Sequence, residues 1–330
     1  MIAGILPPFL IRFLKKIVVA WKLIRQTIYD SIEDDVFKLA AALSYYTVFS
    51  LPPLLIIIIR ISGLVYGEAA VSGKIFEQLK EITGTETALQ IQQAITHFRT
   101  SSDSYMATII GVVTLLIGST AVFSEIQHSV NLIWKIRTKA KKGFIKLLIN
   151  RLLSFSLIIT LSFILIVSLA LDGLILSLSN YLQPRLPDWS LNSMNLLNLG
   201  VMFSILTILF SIIFKILPDA KISWKSVFAG ALVSGVLFML GRYLISYYLT
   251  VNASVSAYGA AGSLIVMLVW VYYSAVILYI GAEFSQVYAL YYGKRIYPNR
   301  YAVFIDTREV EMRTSPLEKE IKGMKKGPLS

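Results

Sequence analysis

Six long apolar segments run along the chain, at 39–59, 106–123, 152–171, 196–216, 227–249 and 262–280. Each is close to the roughly 20 residues that a helix needs to cross the hydrocarbon core of a bilayer. Strands of a membrane barrel would instead alternate polar and apolar positions over about ten residues, and these segments do not. The first segment contains Pro52 and Pro53, whose missing N–H groups predict a kink or a restart of the helix there. The pattern predicts an all-α, polytopic membrane protein with six transmembrane helices, its membrane domain covering 39–288.

The polar stretches are patterned too. From Leu10 to Ile28, the residues Phe13, Ile17, Ala20, Ile24 and Ile28 share one helical face, with Arg12, Lys15, Lys16 and Lys22 on the other and Trp21 at the boundary. This predicts an amphipathic helix within residues 1–38, lying in the headgroup region of a membrane or packed on the end of the bundle. The start does not read as a cleavable signal peptide, because Arg12, Lys15 and Lys16 follow the first apolar run. In the loop 60–104, Ile75, Phe76, Leu79 and Ile82 recur at helical spacing, as do Leu89, Gln92, Ile95 and Phe98 beyond Gly84, so two short helices are expected there. Pro184, Pro187 and Trp189 suit a rigid interfacial turn, and 289–330 reads as a polar tail, mobile over its last stretch.

Composition fixes the solvent. Of the 330 residues, 56% are apolar and only 15% charged, against about 25% charged in ordinary soluble domains. A water-soluble enzyme is excluded, and lipid must cover part of the surface. The absence of cysteine removes disulfides, thiolate nucleophiles and metal–thiolate sites. The net charge of +12 is distributed unevenly: 25 of the 31 Lys and Arg fall in the N-terminal stretch, the 124–151 loop, the fourth connection and the tail. By the positive-inside rule both termini are cytoplasmic, and the basic excess points to anionic membrane lipids as partners rather than nucleic acid.

Five blocks, in order, resemble the YihY/BrkB family of bacterial inner-membrane proteins. They are Ala40 to Leu55 with its Tyr45-Tyr46 and Pro52-Pro53, Asn131-Leu132-Ile133-Trp134, Leu217-Pro218-Asp219 with Ser223-Trp224, Tyr258 to Ser263, and Leu268 to Tyr273 followed by Gly281-Ala282-Glu283. The resemblance implies six membrane helices. It carries over no catalytic residue and no substrate; an old ribonuclease BN-like label is regarded as a misassignment.

The residues agree on chemistry. A metal-dependent nuclease needs clustered His and carboxylates, yet His97 and His128 are expected on opposite sides of the membrane. Glu125 and His128 make one i, i+3 pair where a di-iron bundle needs two. No phosphate-binding Gly-rich loop and no nucleophile–base–acid set is present, so no enzyme activity and no cofactor is expected. What remains are polar and small residues in the spans. Gly111, Thr114, Gly118 and Glu125 share one face, as do Ala231, Gly235 and Arg242. Tyr45, Tyr46, Trp270, Tyr272, Tyr273 and Glu283 add polar groups, with packing or interhelical hydrogen bonding as their ordinary roles and, for Glu125 and Glu283, pairing with nearby Lys or Arg. Arg242, with Asp172 as its partner, is the candidate substrate-binding pair on the outer side. Two functions remain: a non-ATP-driven transporter or lipid-handling protein, and a membrane scaffold or assembly partner.

The charge asymmetry makes a direct prediction. In intact cells, Lys142→Cys and Lys322→Cys should be protected from impermeant thiol reagents, while Glu86→Cys and Pro187→Cys should be labelled. Labelling of position 142 with protection of position 187 would overturn the topology.

Overall fold

A computed structural model describes residues 8–83, 121–139, 190–251, 260–299 and 302–305, together with a few helical positions between 88 and 96 and between 159 and 167. Its helices are α1 (Pro8–Glu33), α2 (Val36–Tyr66), α3 (Glu68–Thr83), α4 (121–133), α5 (Ser190–Ile216), α6 (Trp224–Val251) and α7 (Ala260–Tyr291). Four short strands join them: β1 (Ile136–Thr138), β2 (Ala220–Lys221), β3 (Tyr297–Pro298) and β4 (Ala302–Phe304).

Among the described residues, three helices are long and apolar enough to cross a membrane: Leu199–Ile216 in α5, Trp224–Leu244 in α6 and Met267–Tyr291 in α7. They match the last three spans predicted from the sequence. The predicted spans at 106–123 and 152–171 lie almost wholly outside the described residues. The first predicted span falls inside α2, which continues through Pro52 and Pro53, so the predicted restart does not occur. Packing supplies the reason. Val48 before the prolines and Ile59 after them enter one buried cluster with Val71, Ile75 and Met267, which holds both halves of α2 against the same neighbours. In the turn before the prolines, Thr47 and Ser50 donate their hydroxyls to the Leu43 and Tyr46 carbonyls.

α7 is the central helix. It packs on α1, α2 and α6, and 56% of its span is buried, against 33% for α6 and 22% for α5. The crossing of α6 and α7 is close because two glycines face each other there. A Cβ at Gly230 would run into the Gly281 carbonyl and the Ser285 hydroxyl; one at Gly281 would meet Ser234 Oγ. The two serines fill the remaining space, Ser234 donating to the Ile277 carbonyl at 3.3 Å and Ser285 to that of Gly281 at 3.0 Å. This is how small residues join helices where lipid and protein are equally apolar.

α1 buries a narrow stripe, Leu23, Thr27 and Ser31, on the bundle. The predicted apolar face lies beside that stripe: Ile17, Ile24 and Ile28 are exposed, and Val18, Trp21, Tyr29 and Ile32 extend the exposed apolar surface. α3 occupies the place of the first predicted loop helix, and residues 88–89 and 91–93, in the place of the second, are also helical. The predicted polar tail begins as structure. After α7 the chain returns as two short strands, β3 pairing antiparallel with β2 and β4 with β1.

The glycine crossing generates a stability prediction. Gly230→Ala places a methyl against a backbone carbonyl that has no rotamer to move, so it should cost about 1–3 kcal/mol and lower the Tm of the purified protein. Gly200→Ala is the control. Its added Cβ meets nothing within 4 Å, and removing a helical glycine should leave Tm unchanged or raise it by the equivalent of about 0.5–1 kcal/mol. Equal Tm shifts would mean that the crossing is not close.

Candidate functional site

The end of the bundle that carries α1, β1 and the C-terminal strands is the polar end, and it is built around Asp219. This residue follows Leu217-Pro218, where the chain leaves α5 for β2. Its carboxylate accepts from Asn131 Nδ2 at 3.1 Å, from Thr138 Oγ1 at 3.0 Å and from Gln127 Nε2 at 3.3 Å. Its backbone N–H donates to Asn131 Oδ1 at 2.8 Å, and its carbonyl accepts from the Asn299 N–H at 2.9 Å. Gln127 and Asn131 are one turn apart on α4, so they reach Asp219 from the same face. An Asn opposite an Asp makes this possible, because an amide offers both a donor and an acceptor.

Trp134 carries the connection to α7. Its ring is fully buried, and Nε1 donates to the Ala282 carbonyl at 3.0 Å. Lys135 follows in a left-handed conformation, φ 55°. That costs a side-chain-bearing residue about 1–2 kcal/mol. Two contacts offset it: the Lys135 carbonyl accepts from the Ile305 N–H at 2.8 Å, and Nζ pairs with Asp34, in the turn after α1. On the opposite flank Lys215 donates to the Ile222 carbonyl at 2.6 Å and sits 5.3 Å from the centre of the Trp224 ring.

Beside this hydrogen-bonded knot is a cavity of about 380 Å³. Ser124, Gln127, His128, Asn131, Arg137 and Thr138 supply its polar lining, and Leu132, Ile136 and Ile305 its apolar walls.

Glu283 stands one residue beyond Ala282 and has a different environment. It is 1% exposed, and its Oε2 has no hydrogen-bond partner. Among the described residues, two other buried polar atoms on the same two packed helices also lack partners: Ser31 Oγ on α1 and Gln286 Oε1 on α7. The charges acting on Glu283 include Asp34, just after α1, Asp30 of α1, Lys135, and Glu33 of α1. Burial raises the Asp30 carboxyl above the usual carboxylate range; the Gln26 amide opposes the shift, and Asp34 and Glu33 add to it. Salt bridges to Glu283 are absent among the described residues, so the pairing expected from sequence is replaced by burial under an acidic turn.

The remaining predicted residues are dispersed. Arg242 is half-buried, and its Nη1 approaches Met202 Sδ of α5 at 2.9 Å. Its face-mates pack on α5 as well: Ala231 is fully buried, and a Cβ at Gly235 would lie 3.0 Å from Phe203 and Thr207. Asp172, Gly111, Thr114, Gly118 and His97 lie outside the described residues. Tyr45 and Tyr46 are exposed on α2 and form a ring cluster with Phe49. Pro52 and Pro53 are helical. Glu125 is half-buried and accepts from Ser129 Oγ at 3.4 Å. Tyr273 donates to the Leu237 carbonyl at 2.9 Å across the space left by Gly241, and Trp270 stands edge-on to Phe238. Among the described residues no group of three His, Asp or Glu is placed to hold a metal ion. Sequence reasoning overlooked the chemistry of Asp219, Asn131 and Gln127. An Asp beside a Pro in a short turn between two spans was the available signal.

The knot predicts a graded response. Asp219→Ala strands three donors, each costing about 1–3 kcal/mol where water cannot replace the acceptor. It should lower Tm more than Asp219→Asn, which keeps one acceptor oxygen, and should open Lys135 and Arg137 to trypsin. Wild-type Tm and trypsin resistance in Asp219→Ala would show that the knot is not structural.

The comparisons place this architecture. The family described as Virulence factor BrkB matches residues 27–302. Among curated proteins, a UPF0761 membrane protein of Legionella pneumophila is 27% identical over 281 residues, covering 83% of this chain and 63% of the relative. One from Alkalilimnicola ehrlichii is 24% identical, covering 76% and 55%, and one from Aggregatibacter aphrophilus is 27% identical, covering 76% and 86%. The chain thus spans less than two thirds of the length of the first two of these relatives. No solved structure matches. With its family match running from the end of α1 to β4, and with three membrane-length helices among the described residues, the chain belongs to the BrkB family of membrane proteins.

Proposed function

We propose that the protein is a non-ATP-driven transporter or lipid-handling protein of the bacterial inner membrane, with both termini cytoplasmic and α1 lying on anionic lipid. The observation that carries this reading is Glu283. A carboxyl group that is almost wholly buried in an apolar helix, with one oxygen unpartnered, is costly. Ionisable groups kept at such a cost in membrane helices commonly serve a cargo or ion path. The exposed apolar surface of α1 beside Lys15, Lys16 and Lys22 supports contact with an anionic bilayer. The absence of a nucleotide-binding loop supports transport without ATP.

A scaffold is the second reading. It is favoured by the way Trp134, Tyr273 and Arg242 are each occupied by a neighbouring helix or turn, as polar residues are when they serve packing.

Proteoliposomes without nucleotide separate the two. With fluorescent phosphatidylglycerol in one leaflet, the wild-type protein should speed its appearance in the other leaflet. Glu283→Gln, nearly the same shape, should slow this to the protein-free rate while keeping Tm within a few degrees of wild type. No flux from folded protein, or equal flux from Glu283→Gln, would overturn the assignment to Glu283. Lack of flux together with stoichiometric copurification of one envelope protein would favour the scaffold.

A further inference from the structure

We infer that the cavity between α4 and the β1–β4 ribbon is a binding site for a phosphate group carried on a short apolar stem, with Arg137 as its principal ligand. The inference stands on the cavity itself and holds whether or not the protein moves cargo across the membrane.

The volume comes first. About 380 Å³ lies within the size range of small-molecule pockets, roughly 300–1,000 Å³. Charge is the second consideration. None of the described lining residues is acidic, and Arg137 and His128 supply a guanidinium and an imidazole. The closest acid in this knot, Asp219, accepts hydrogen bonds from Gln127, Asn131 and Thr138, all members of the cavity wall. The wall therefore turns its spent polar atoms toward Asp219 and leaves Arg137, His128 and Ser124 for a ligand. The Arg137 side chain forms no hydrogen bond or ion pair with the described residues, although it lies in a strand whose backbone register is fixed against Val303. It is held in place by the backbone while its side chain stays uncommitted.

The class of ligand follows from the lining. A guanidinium fork with a hydroxyl and an imidazole around it suits the several oxygens of a phosphate. Among the described lining residues no aromatic side chain is present to stack on a nucleobase. Leu132, Ile136 and Ile305 instead offer a wall for carbon, such as the glycerol and first methylenes of a phospholipid. The site is in the stretch 124–151, one of the most basic in the chain. Phosphate chemistry has two sources here, a lipid headgroup or free phosphate, and the stem contacts favour the lipid.

The test uses the full chain purified in a maltoside detergent, with binding followed by native mass spectrometry at graded ligand concentrations. The probes are dihexanoyl phosphatidylglycerol, inorganic phosphate and, as the phosphate-free control, dihexanoylglycerol. Saturable binding of the phospholipid is expected, weakened about tenfold by Arg137→Ala, the loss of one charge-assisted contact, and less by Arg137→Lys. Lys139→Ala removes the same charge from a residue outside the cavity and should leave binding near wild type. Arg137-dependent binding of inorganic phosphate as tight as that of the lipid would assign the site to free phosphate. Three results would overturn the inference: no saturable binding of either phosphate probe, equal losses in Arg137→Ala and Lys139→Ala, or dihexanoylglycerol binding as tightly as the phospholipid. Arg137 is exposed and pairs through its backbone, so unchanged Tm in Arg137→Ala checks that the loss is local.

Discussion

Asp219 accepts three side-chain hydrogen bonds from residues 81 to 92 positions away, and the polar end of the bundle closes around it. A half-buried carboxylate needs its lone pairs filled, and among the described residues neutral amides and a hydroxyl contribute to filling them. The same turn supplies β2, which pairs with β3, while Thr138, a donor to Asp219, sits in β1, which pairs with β4. Four chain segments thus converge where one acidic side chain demands donors. Trp134, three residues beyond Asn131, then carries the geometry to α7 through Ala282. Loosening Asp219 would release the register of both ribbons and the floor of the cavity at once.

Glu283 is the counterpart. Asp219 and Glu283 lie at the same end of the molecule; one accepts from three side-chain donors, and the other is buried with an oxygen that has none among the described residues. A structural acid is satisfied, because each unmet bond inside a protein costs stability. An unmet one is retained where something other than packing selects it. The contrast within a single fold is more informative than either residue alone, because both experience the same bundle end and differ only in what surrounds the carboxylate.

The sequence carried the long-range periodicities and lost the short-range pairings. The last three spans and α3 were legible because apolar runs and helical spacing are local properties. α7 extends to Tyr291, past the expected end at Ile280, because Glu283 and Gln286 lower the hydropathy while Val287 and Ala289 continue to bury against the bundle. The strands at Ala220, Tyr297 and Ala302 are two or three residues long, too short for an alternating pattern, and exist only because tertiary contacts bring them together. Asn131 and Asp219 were visible as parts of separate motifs, but their bond spans 88 residues, and nothing local predicts it. The sequence reading singled out Ala231 and Gly235 on α6, whereas the glycine of α6 that meets the Gly281 carbonyl is Gly230, one residue round the helix.

α1 bears on Glu283 alone of these two acids. Its hold on the bundle is the Leu23, Thr27 and Ser31 stripe and the Asp34–Lys135 ion pair, and part of that stripe is polar. A partly exposed ion pair contributes little, of the order of 1 kcal/mol. The broad exposed surface from Ile17 and Val18 to Tyr29 and Ile32 needs a solvent other than water, at about 25 cal/mol per Å² of apolar area. The larger share of the free energy that orients α1 must therefore come from whatever covers that surface. Since α1 also supplies Ser31 and, with the residue after it, the acidic turn over Glu283, the environment of the unsatisfied carboxylate depends on what covers α1, whereas that of Asp219 is set by the chain segments that meet at it.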